Sequence, residues 1–546
     1  MTRLTANEPG RAGSVGRRML LKALGATSAA GAVAGLTAGA NATSASASSP
    51  TAGSRPAAHT DQITAAGVAR GLRALPEIIR RNMGATGIPG LATAVVYDRQ
   101  IRYLEGRGVR AVGGPARVDP DTVFYLASLS KPISSTVIGA AMTQELAEMS
   151  WQDTIASHLP GFTLSDEWVG DHVTVADMLS HRSGLPDHSG NLMEDLGYDR
   201  SQIIEKLRYY PLLAFRDSWK YTNYGFTSGA EAIAEATERP WATLAKQMIF
   251  EPLGMTSSSF TYAELTSRDN RVALHRKTNG RYVAGSDADY EAQAPAGSAS
   301  SSIRDMATWA KMLLAGGEHA GVTLVDPEQL NQIWSPAFAS HPTPEVGTWS
   351  SFYGYGWNVG YEKTGELRVS HSGAFGRGAA TAVTMLPTDK LAIVVLTNAM
   401  PTGVPEAISA EFVDIVRYGR STQESWLDVI GPYFDEEPTA DQKKYSTPAP
   451  QPEPSRSLSA YVGSYENAAF GQLSVVIRGG ALNFTVGPNR EWYELEHYSG
   501  DEFFFETTGE DASGLSGAVF RGTSSGIRTV TINAWDHEQL GTFTRA

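Results

Sequence analysis

Strand-like segments flank a long helical stretch, and this distribution constrains the fold more than any other feature. Leu91 to Tyr97 and Gln100 to Leu104 are apolar runs joined by a short polar turn. Comparable runs return only much later, at Leu367 to Ser370, Ala380 to Met385 and Leu391 to Thr397. The intervening residues 151–320 are mainly helix and loop in pattern. This order predicts an α/β (α+β) fold, in which distant segments pair in one antiparallel sheet flanked by helices, with a helical subdomain between them.

Three helices are predicted around this sheet, at about Thr64 to Ala85, Ser128 to Gln144 and Pro405 to Tyr418. The middle helix is hydrophobic nearly all round, which is typical of a helix buried inside a domain. We therefore expect it to lie at the centre of the domain.

The sequence changes character after about residue 430. Residues 431–456 are rich in Pro and acidic side chains and predict an extended linker. Beyond it, apolar residues alternate in period two on both sides of a two-residue turn, at Leu473, Val475, Ile477, Gly479-Gly480, Leu482, Phe484 and Val486. This pattern predicts a β-hairpin. Further alternating runs follow at 492–495, 502–506, 517–521, 527–533 and 540–544. Together they predict a small antiparallel barrel or sheet of about eight strands.

Composition excludes several classes of function. Of the 546 residues, 45 are Lys or Arg and 58 are Asp or Glu, so the formal net charge is -13. That balance argues against nucleic acid or an anionic membrane as a partner. The chain has no cysteine, which excludes disulfides, thiolate metal sites and a cysteine nucleophile. His and Asp residues show no metal-ligand spacing, so we predict no metal and no other cofactor.

The first residues resemble an export signal. Arg17-Arg18 precedes an Ala- and Gly-rich run from Ala23 to Ala40, followed by small residues suited to cleavage. We predict a twin-arginine-type signal peptide over residues 1–47, a flexible spacer over 48–63 and a secreted, extracytoplasmic protein. The alternative is an alanine-rich leader with a chance Arg-Arg pair. The run has too few large apolar residues for a stable membrane anchor.

Chemistry is indicated by the tetrad Ser128-Leu129-Ser130-Lys131. Near a helix start, residues three apart share a face, so Ser128 and Lys131 would point the same way. A lysine kept neutral by its surroundings can take the proton of a serine nucleophile. Alone this pattern occurs by chance, but Tyr221-Thr222-Asn223 and His371-Ser372-Gly373 follow it.

These segments resemble the serine hydrolases of the β-lactamase and penicillin-binding-protein superfamily, in the branch with a Tyr-x-Asn second motif. That branch includes class C β-lactamases, D,D-peptidases, D-aminopeptidases and esterases. Three further landmarks fall in the family's order, at Leu179 to Leu185, Glu251 to Met255 and Ala296 to Met306. The resemblance implies a hydrolase domain over 64–430, while residues 457–546 resemble a lipocalin-like β-domain.

The resemblance also implies a role for each residue. Ser128 is the nucleophile, Lys131 its base, and Tyr221 a second base, as phenolate or as a relay with Lys131. Asn223 orients the substrate amide and braces Lys131. The oxyanion is expected to bind the backbone N–H groups of Ser128 and of Ala374, the latter on an edge strand.

Other residues carry open alternatives. Gly373 and Arg377 are candidate substrate-binding residues, although a surface ion pair is an equal reading for Arg377. His181 could be a general base, but a structural role in a turn is favoured. His188 is expected to be solvated.

His371 stands where many β-lactamases have a lysine in Lys-Thr-Gly. A histidine is only partly charged near pH 7, so it would anchor a carboxylate weakly and could instead relay a proton. We therefore expect a small amide or peptide substrate, handled as by a D,D-carboxypeptidase or D-aminopeptidase. The alternatives are a carboxylic esterase, a β-lactamase, a slow-turnover penicillin-binding protein and an acyltransferase. The sequence does not indicate an oligomeric state.

Overall fold

A computed structural model describes residues 63–341, 350–435 and 437–546. The predicted signal peptide (1–47) and nearly all of the predicted spacer (48–63) lie outside these residues. Within the described ranges, no helix is both long and apolar enough to cross a membrane.

In the predicted hydrolase domain (64–430), called the hydrolase part below, the described residues form one large sheet and three small ones. In chain order its strands are β1 (Gly90–Tyr97), β2 (Gln100–Gly108), β3 (Val123–Tyr125), β4 (His275–Thr278), β5 (Arg281–Ala284), β6 (Ser300–Ser302), β7 (Glu318–His319), β8 (Val322–Thr323), β9 (Phe338–His341), β10 (Ser351–Tyr353), β11 (Asn358–Tyr361), β12 (Leu367–Phe375), β13 (Ala379–Leu386) and β14 (Leu391–Thr397). The large sheet has the order β2-β1-β14-β13-β12-β11-β10-β9. Strands β1 and β14 pair antiparallel from Leu91 opposite Thr397 to Tyr97 opposite Leu391. The predicted antiparallel sheet of distant segments is therefore confirmed.

Helices cover the sheet and build the region between its two halves. They are α1 (Ala65–Thr86), α2 (Ser130–Thr143), α3 (Ile155–His158), α4 (Glu167–His172), α5 (Val175–Leu179), α6 (Asn191–Asp195), α7 (Arg200–Lys206), α8 (Asn223–Ala236), α9 (Trp241–Ala245), α10 (Glu251–Leu253), α11 (Tyr262–Thr266), α12 (Ile303–Leu314), α13 (Pro327–Trp334), α14 (Val404–Tyr418), α15 (Trp426–Ile430) and α16 (Ala440–Tyr445). The small hairpins β4–β5 and β7–β8 interrupt the predicted helical region.

Strand alternation divides the large sheet between two apolar cores. Leu91 and Val95 of β1 pack with α1 and α14 in one core. Ala92 and Ala94 belong to the other core, which includes α2 and α12. Because both faces are covered, β1 is buried along nearly its whole length.

Helix α2 lies at the centre of the second core, as its sequence predicts. Every residue from Ser130 to Ala141 is buried. A polar side chain in such a helix must find hydrogen-bond partners inside the protein. This requirement governs Lys131, in the first turn.

The C-terminal part is a closed antiparallel barrel. Its strands are β15 (Gly463–Asn467), β16 (Gly471–Arg478), β17 (Ala481–Val486), β18 (Tyr493–Ser499), β19 (Glu502–Glu506), β20 (Leu515–Thr523), β21 (Gly526–Ile532) and β22 (Thr542–Arg545). The predicted hairpin is present, with Arg478 opposite Ala481 and positive φ at Gly479 and Gly480. Of its alternating residues, Ile477 is exposed rather than inside the barrel.

The predicted extended linker is partly wrong. Residues Ala440–Tyr445 form α16, whose Thr439 side chain caps the first turn by accepting from the Gln442 N–H. Asp441 accepts a hydrogen bond from Gly517 N–H, and the Tyr445 ring stacks on Phe504. The segment is a helix that packs on the barrel because it has a cap and a buried aromatic residue.

The barrel also contacts the helical region of the hydrolase part. The Tyr198 hydroxyl donates to the Phe470 carbonyl at 2.8 Å, and barrel residues share one apolar core with α2 and α12. The loop between β19 and β20 lies against α6, where Asp195 accepts from the backbone N–H groups of Glu510 and Asp511 at 2.8 and 3.0 Å.

Candidate active site

Ser128 sits in a tight turn before α2, not in the helix itself. Residues Ala127–Leu129 form a 3₁₀ turn, and α2 begins at Ser130. Ala127 has φ of 49°, a left-handed conformation that costs free energy for a residue with a side chain. Ser128 is partly exposed, while its neighbours Ala127 and Leu129 are buried. The turn therefore leaves the Ser128 side chain accessible.

Lys131 is fully buried and lies among neutral partners. Its Nζ is 3.1 Å from Ser128 Oγ, 2.7 Å from Asn223 Oδ1 and 3.0 Å from the Ala296 carbonyl. Burial holds the Lys131 pKa well below its ordinary value because no water stabilises the ammonium form. The two amide oxygens can only accept, so a neutral Lys131 gives them its two N–H groups and keeps its lone pair for Ser128.

Tyr221 contacts Ser128 from the other side. Its hydroxyl is 2.9 Å from Ser128 Oγ, and its ring lies 4.5 Å from Lys131 Nζ. Burial raises the Tyr221 pKa above its ordinary value, so the side chain is a phenol at neutral pH. Of the two predicted forms, the relay fits this environment and the phenolate does not.

Asn223 is the first residue of α8 and stands beside Lys131. Its Oδ1 accepts from Lys131, which leaves the side-chain N–H₂ group to other partners. This group lies 3.4 Å from Asn191 Oδ1. The amide orientation is therefore set by hydrogen bonds at both ends.

His371 is buried in β12 and is neutral. Its Nδ1 donates to the Ser372 carbonyl at 2.7 Å, so Nε2 accepts from the Tyr353 hydroxyl at 2.8 Å. Burial and the nearby Lys131 lower the His371 pKa to about 3. The expectation of a partly charged His371 is therefore wrong, because the ring is removed from water.

The strand that carries Ala374 is not an edge strand. β12 lies between β11 and β13, but β11 pairs only with Leu367 to Ser370. Among the described strands, residues 371–375 therefore have a partner on the β13 side alone. Thr381 of β13 donates to the Leu126 carbonyl at 2.7 Å and ties this half of the strand to the Ser128 turn.

Gly373 permits the close approach of β12 to the serine turn. A Cβ atom at this position would lie 2.2 Å from the Leu126 carbonyl oxygen and 3.0 Å from Ser128 N. Any larger residue would push β12 away from the turn. The approach brings the strand that carries Ala374 to the backbone of Ser128.

Arg377 lies in the turn after β12, next to Gly376. Its guanidinium is 3.3 Å from Ser286 Oγ, and its backbone N–H is 3.4 Å from Glu510. Its contacts are those of a turn residue near the site, and they assign it no ligand.

His181 and His188 both border Tyr221. His181 Nδ1 accepts from the Thr222 N–H at 3.3 Å, and its ring packs 4.4 Å from the Tyr221 ring. These contacts belong to a residue that positions Tyr221. His188 was expected in solvent, but its ring centroid lies 6.0 Å from that of Tyr221 and burial lowers its pKa.

Sequence reasoning missed two contributors to this arrangement. Tyr353 lies on β10 and has no motif around it, so nothing in the sequence relates it to His371. Glu510 lies on a barrel loop and accepts from the Gly376 N–H at 2.5 Å. Ala296 begins one of the segments that resemble the family, but the sequence did not indicate that its carbonyl accepts a hydrogen bond from Lys131. Across the described ranges, no cluster of three or more His, Asp or Glu residues could hold a metal ion.

The buried Lys131 thus lies beside the Ser128–Tyr221 pair, and comparisons with known proteins identify the family to which the chain belongs. The Beta-lactamase family profile matches residues 75–417, and that of a domain of unknown function (DUF3471) matches 447–541. The chain belongs to the Beta-lactamase family.

Named relatives and a solved structure are also similar to this chain. The chain is 27% identical over 423 residues to the "Unguisins hydrolase ungD'" of Aspergillus campestris, covering 73% of this chain and 77% of that one. It is 23% identical to "Unguisins hydrolase ungD" of Aspergillus violaceofuscus, over 83% and 86% of the two chains. The solved "octameric penicillin-binding protein homologue from Pyrococcus abyssi" superposes with a TM-score of 0.52 at 20% identity, over 85% of this chain and 98% of the other. That likeness shows a shared fold.

Proposed function

We propose that this protein is a secreted serine hydrolase that forms an acyl-Ser128 intermediate on a small amide or peptide substrate. The observation that carries the proposal is the position of Ser128 Oγ, 3.1 Å from Lys131 Nζ and 2.9 Å from the Tyr221 hydroxyl. A nucleophile between a neutral amine and a phenol can lose its proton to the amine while the phenol donates to the oxygen.

In the proposed acylation, Ser128 Oγ attacks the carbonyl carbon and its proton moves to Lys131 Nζ. The oxygen of the tetrahedral intermediate accepts hydrogen bonds from the N–H groups of Ser128 and Ala374. The intermediate then collapses, the bond to the leaving amine breaks, and the proton on Lys131 reaches that amine through the Tyr221 hydroxyl. Water then attacks the acyl carbon and gives a proton to Lys131 Nζ. The bond between the acyl carbon and Ser128 Oγ breaks, and that proton returns to Oγ, which releases the acid and free Ser128.

The choice of substrate rests on His371 and on the relatives. A neutral His371 gives no cation for a substrate carboxylate at the third motif, which weakens the case for a dedicated β-lactamase. Two relatives are named as hydrolases of unguisins, which supports turnover over mere acylation. We favour peptides or amides with D-amino-acid character, as for D,D-carboxypeptidases and D-aminopeptidases, and export through the twin-arginine-type leader.

The test uses the purified mature protein and its Ser128→Ala variant. Both are assayed with D- and L-amino-acid anilides, p-nitrophenyl esters and a chromogenic cephalosporin, and the acyl-enzyme is sought by intact mass. We expect anilide turnover and a serine adduct in the wild type only. Activity that persists in Ser128→Ala would refute the proposed mechanism.

The alternatives give different results in the same assay. Fast ester turnover without anilide turnover indicates an esterase, and fast cephalosporin turnover indicates a β-lactamase. A stoichiometric burst without steady turnover indicates a penicillin-binding protein. A ligated product on addition of a D-amino acid indicates acyl transfer.

A further inference from the structure

The loop between β19 and β20 leaves the barrel and reaches the turn that follows Ala374. Both carboxyl oxygens of its Glu510 form hydrogen bonds with the hydrolase part. Oε1 accepts from the Gly376 N–H at 2.5 Å, and Oε2 is 2.8 Å from the Tyr290 hydroxyl. One barrel side chain thus holds the backbone two residues beyond the expected oxyanion donor.

Tyr290 extends this contact to the same turn. Its ring stacks on that of Phe375, with centroids 3.7 Å apart and planes inclined by 10°. Phe375 lies between Ala374 and Gly376, so Glu510 restrains this turn directly and through Tyr290. All of these rings belong to the apolar cluster that contains Ala127, the residue before Ser128.

The loop also reaches the other side of the site. Asp511 hydrogen-bonds to Asn191, whose Oδ1 is 3.4 Å from the side-chain N–H₂ group of Asn223. Asn223 in turn accepts from Lys131. Adjacent loop residues therefore contact the surroundings of both the oxyanion donors and the base.

We propose that Glu510 of the C-terminal barrel is a positioning residue of the oxyanion hole, which sets Ala374 N–H at the distance that acylation of Ser128 requires. The inference rests on the proposed function, because it assumes acyl transfer at Ser128. Misplacement of a catalytic group by about 1 Å can cost roughly 10²-fold in rate. Loss of the restraint at Gly376 should therefore lower the rate of acylation by a measurable factor.

The charge state of Glu510 supplies a distinct signature. Burial, with the charges of Asp511 and Asp195, raises the Glu510 pKa to about 8. Below that pH the carboxyl is neutral, and above it a negative charge lies beside the turn and opposes the developing oxyanion. The titratable and charged groups around Glu510 are Tyr290, Arg377, Asp195, Asp511 and Glu194.

The test measures the rate at which a fluorophosphonate probe labels Ser128 in the full-length protein, followed by intact mass. This probe needs no knowledge of the natural substrate. The variants are Glu510→Ala and Glu510→Gln, with Glu506→Gln, an exposed barrel carboxylate at the end of β19, as the matched control. Rates are taken at about pH 6.5 and about pH 9.5, on either side of the Glu510 pKa.

We expect Glu510→Ala to label roughly 10²-fold more slowly at both pH values. Glu510→Gln mimics the neutral carboxyl, so it should label like the wild type at low pH and faster than the wild type at high pH. Glu506→Gln should follow the wild type throughout.

Two results would overturn the inference. One is a labelling rate in Glu510→Ala equal to that of the wild type. The other is a labelling rate that falls between low and high pH by the same factor in Glu510→Gln as in the wild type. If Glu510→Ala does not fold, the comparison of Glu510→Gln with the wild type decides alone. A wild type that is not labelled at Ser128 would instead refute the proposed function, and this inference with it.

Discussion

Asp177 and Lys131 are two buried ionisable residues of one apolar core, and their surroundings are opposite. Both have side chains closed to solvent. The Asp177 carboxylate accepts from Arg182 at 2.7 Å, from Arg216 at 2.7 Å and from the Thr174 N–H at 3.0 Å. Within residues 63–341, 350–435 and 437–546, no carboxylate forms an ion pair with Lys131.

The pKa values follow from this difference. Burial alone would raise the Asp177 pKa, but hydrogen bonds from Arg216 and Thr174 and the charge of Arg182 bring it below its ordinary value. Burial of Lys131 is not offset, and its pKa falls. Asp177 keeps its charge and holds a turn together, whereas burial lowers the pKa of Lys131, as its proposed role as a base requires.

The substitution Lys131→Arg should cause the greatest loss of activity. A guanidinium stays protonated at every working pH, so it cannot take the Ser128 proton. We expect labelling of Ser128, or turnover once a substrate is found, to fall roughly 10²–10⁴-fold, the usual contribution of a general base. The exposed Lys246→Arg serves as the control, and near-normal activity in Lys131→Arg would show that Lys131 is not the base.

A second prediction concerns the paired residue. Asp177→Asn removes the charge that Arg182 and Arg216 share, and we expect the free energy of unfolding to fall by about 3 kcal/mol. Asp121→Asn breaks an exposed pair with Arg304 and should cost less than about 1 kcal/mol. Chemical denaturation measures both changes, and equal losses of stability would show that the buried ion pairs of Asp177 contribute no more than the exposed Asp121–Arg304 pair.

The lowered pKa of Lys131 should make the stability of the protein depend on pH. An unfolded Lys131 holds its proton up to a pKa of about 10.4, while the folded residue releases it at lower pH. Between these two pKa values the unfolded state binds more protons, so wild-type stability rises with pH by up to about 1.4 kcal/mol per unit relative to Lys131→Met. Denaturation of both proteins across this window tests the slope, and parallel curves would mean that Lys131 is charged when folded.

The paired Asp177 contributes with the opposite sign. Its folded pKa is depressed, so its stabilisation is present above the unfolded value and disappears as the pH falls through the folded one. In Asp177→Asn, the loss of stability on acidification should therefore be smaller than in the wild type.

The smallest expected effect is at Tyr353. Tyr353→Phe leaves the buried His371 Nε2 without its donor, which should cost about 1–2 kcal/mol of unfolding free energy. Tyr361→Phe, at the end of β11, is the control. A Tyr353→Phe variant as stable as the wild type would show that the Tyr353–His371 hydrogen bond adds no net stability.

Much of the fold could be predicted because its determinants are local. The hairpin of β16 and β17 follows from alternation around Gly479-Gly480, and the burial of α2 follows from apolar residues on all its faces. The helix at Ala440–Tyr445 was missed because Pro and acidic residues around it dominate the pattern. Its stability comes from contacts with the barrel, which composition does not reveal.

The site divides in the same way. Ser128 and Lys131 are close because they lie three positions apart near a helix start, and the sequence shows this directly. The charge state of His371 depends on its burial and on Tyr353, which no motif marks. The contact between Glu510 and Gly376 joins segments far apart in the chain, so only the folded protein reveals it.

The barrel loop also affects the order in which the molecule is completed. Strand β15 pairs with β22, so the barrel closes only when the segment Thr542–Arg545 has been made. Ser128, Lys131 and Tyr221 leave the ribosome long before that point. We therefore expect the contact of Glu510 with Gly376 to be among the last to form during synthesis, so that a nascent chain carries its nucleophile for some time before the site around it is finished.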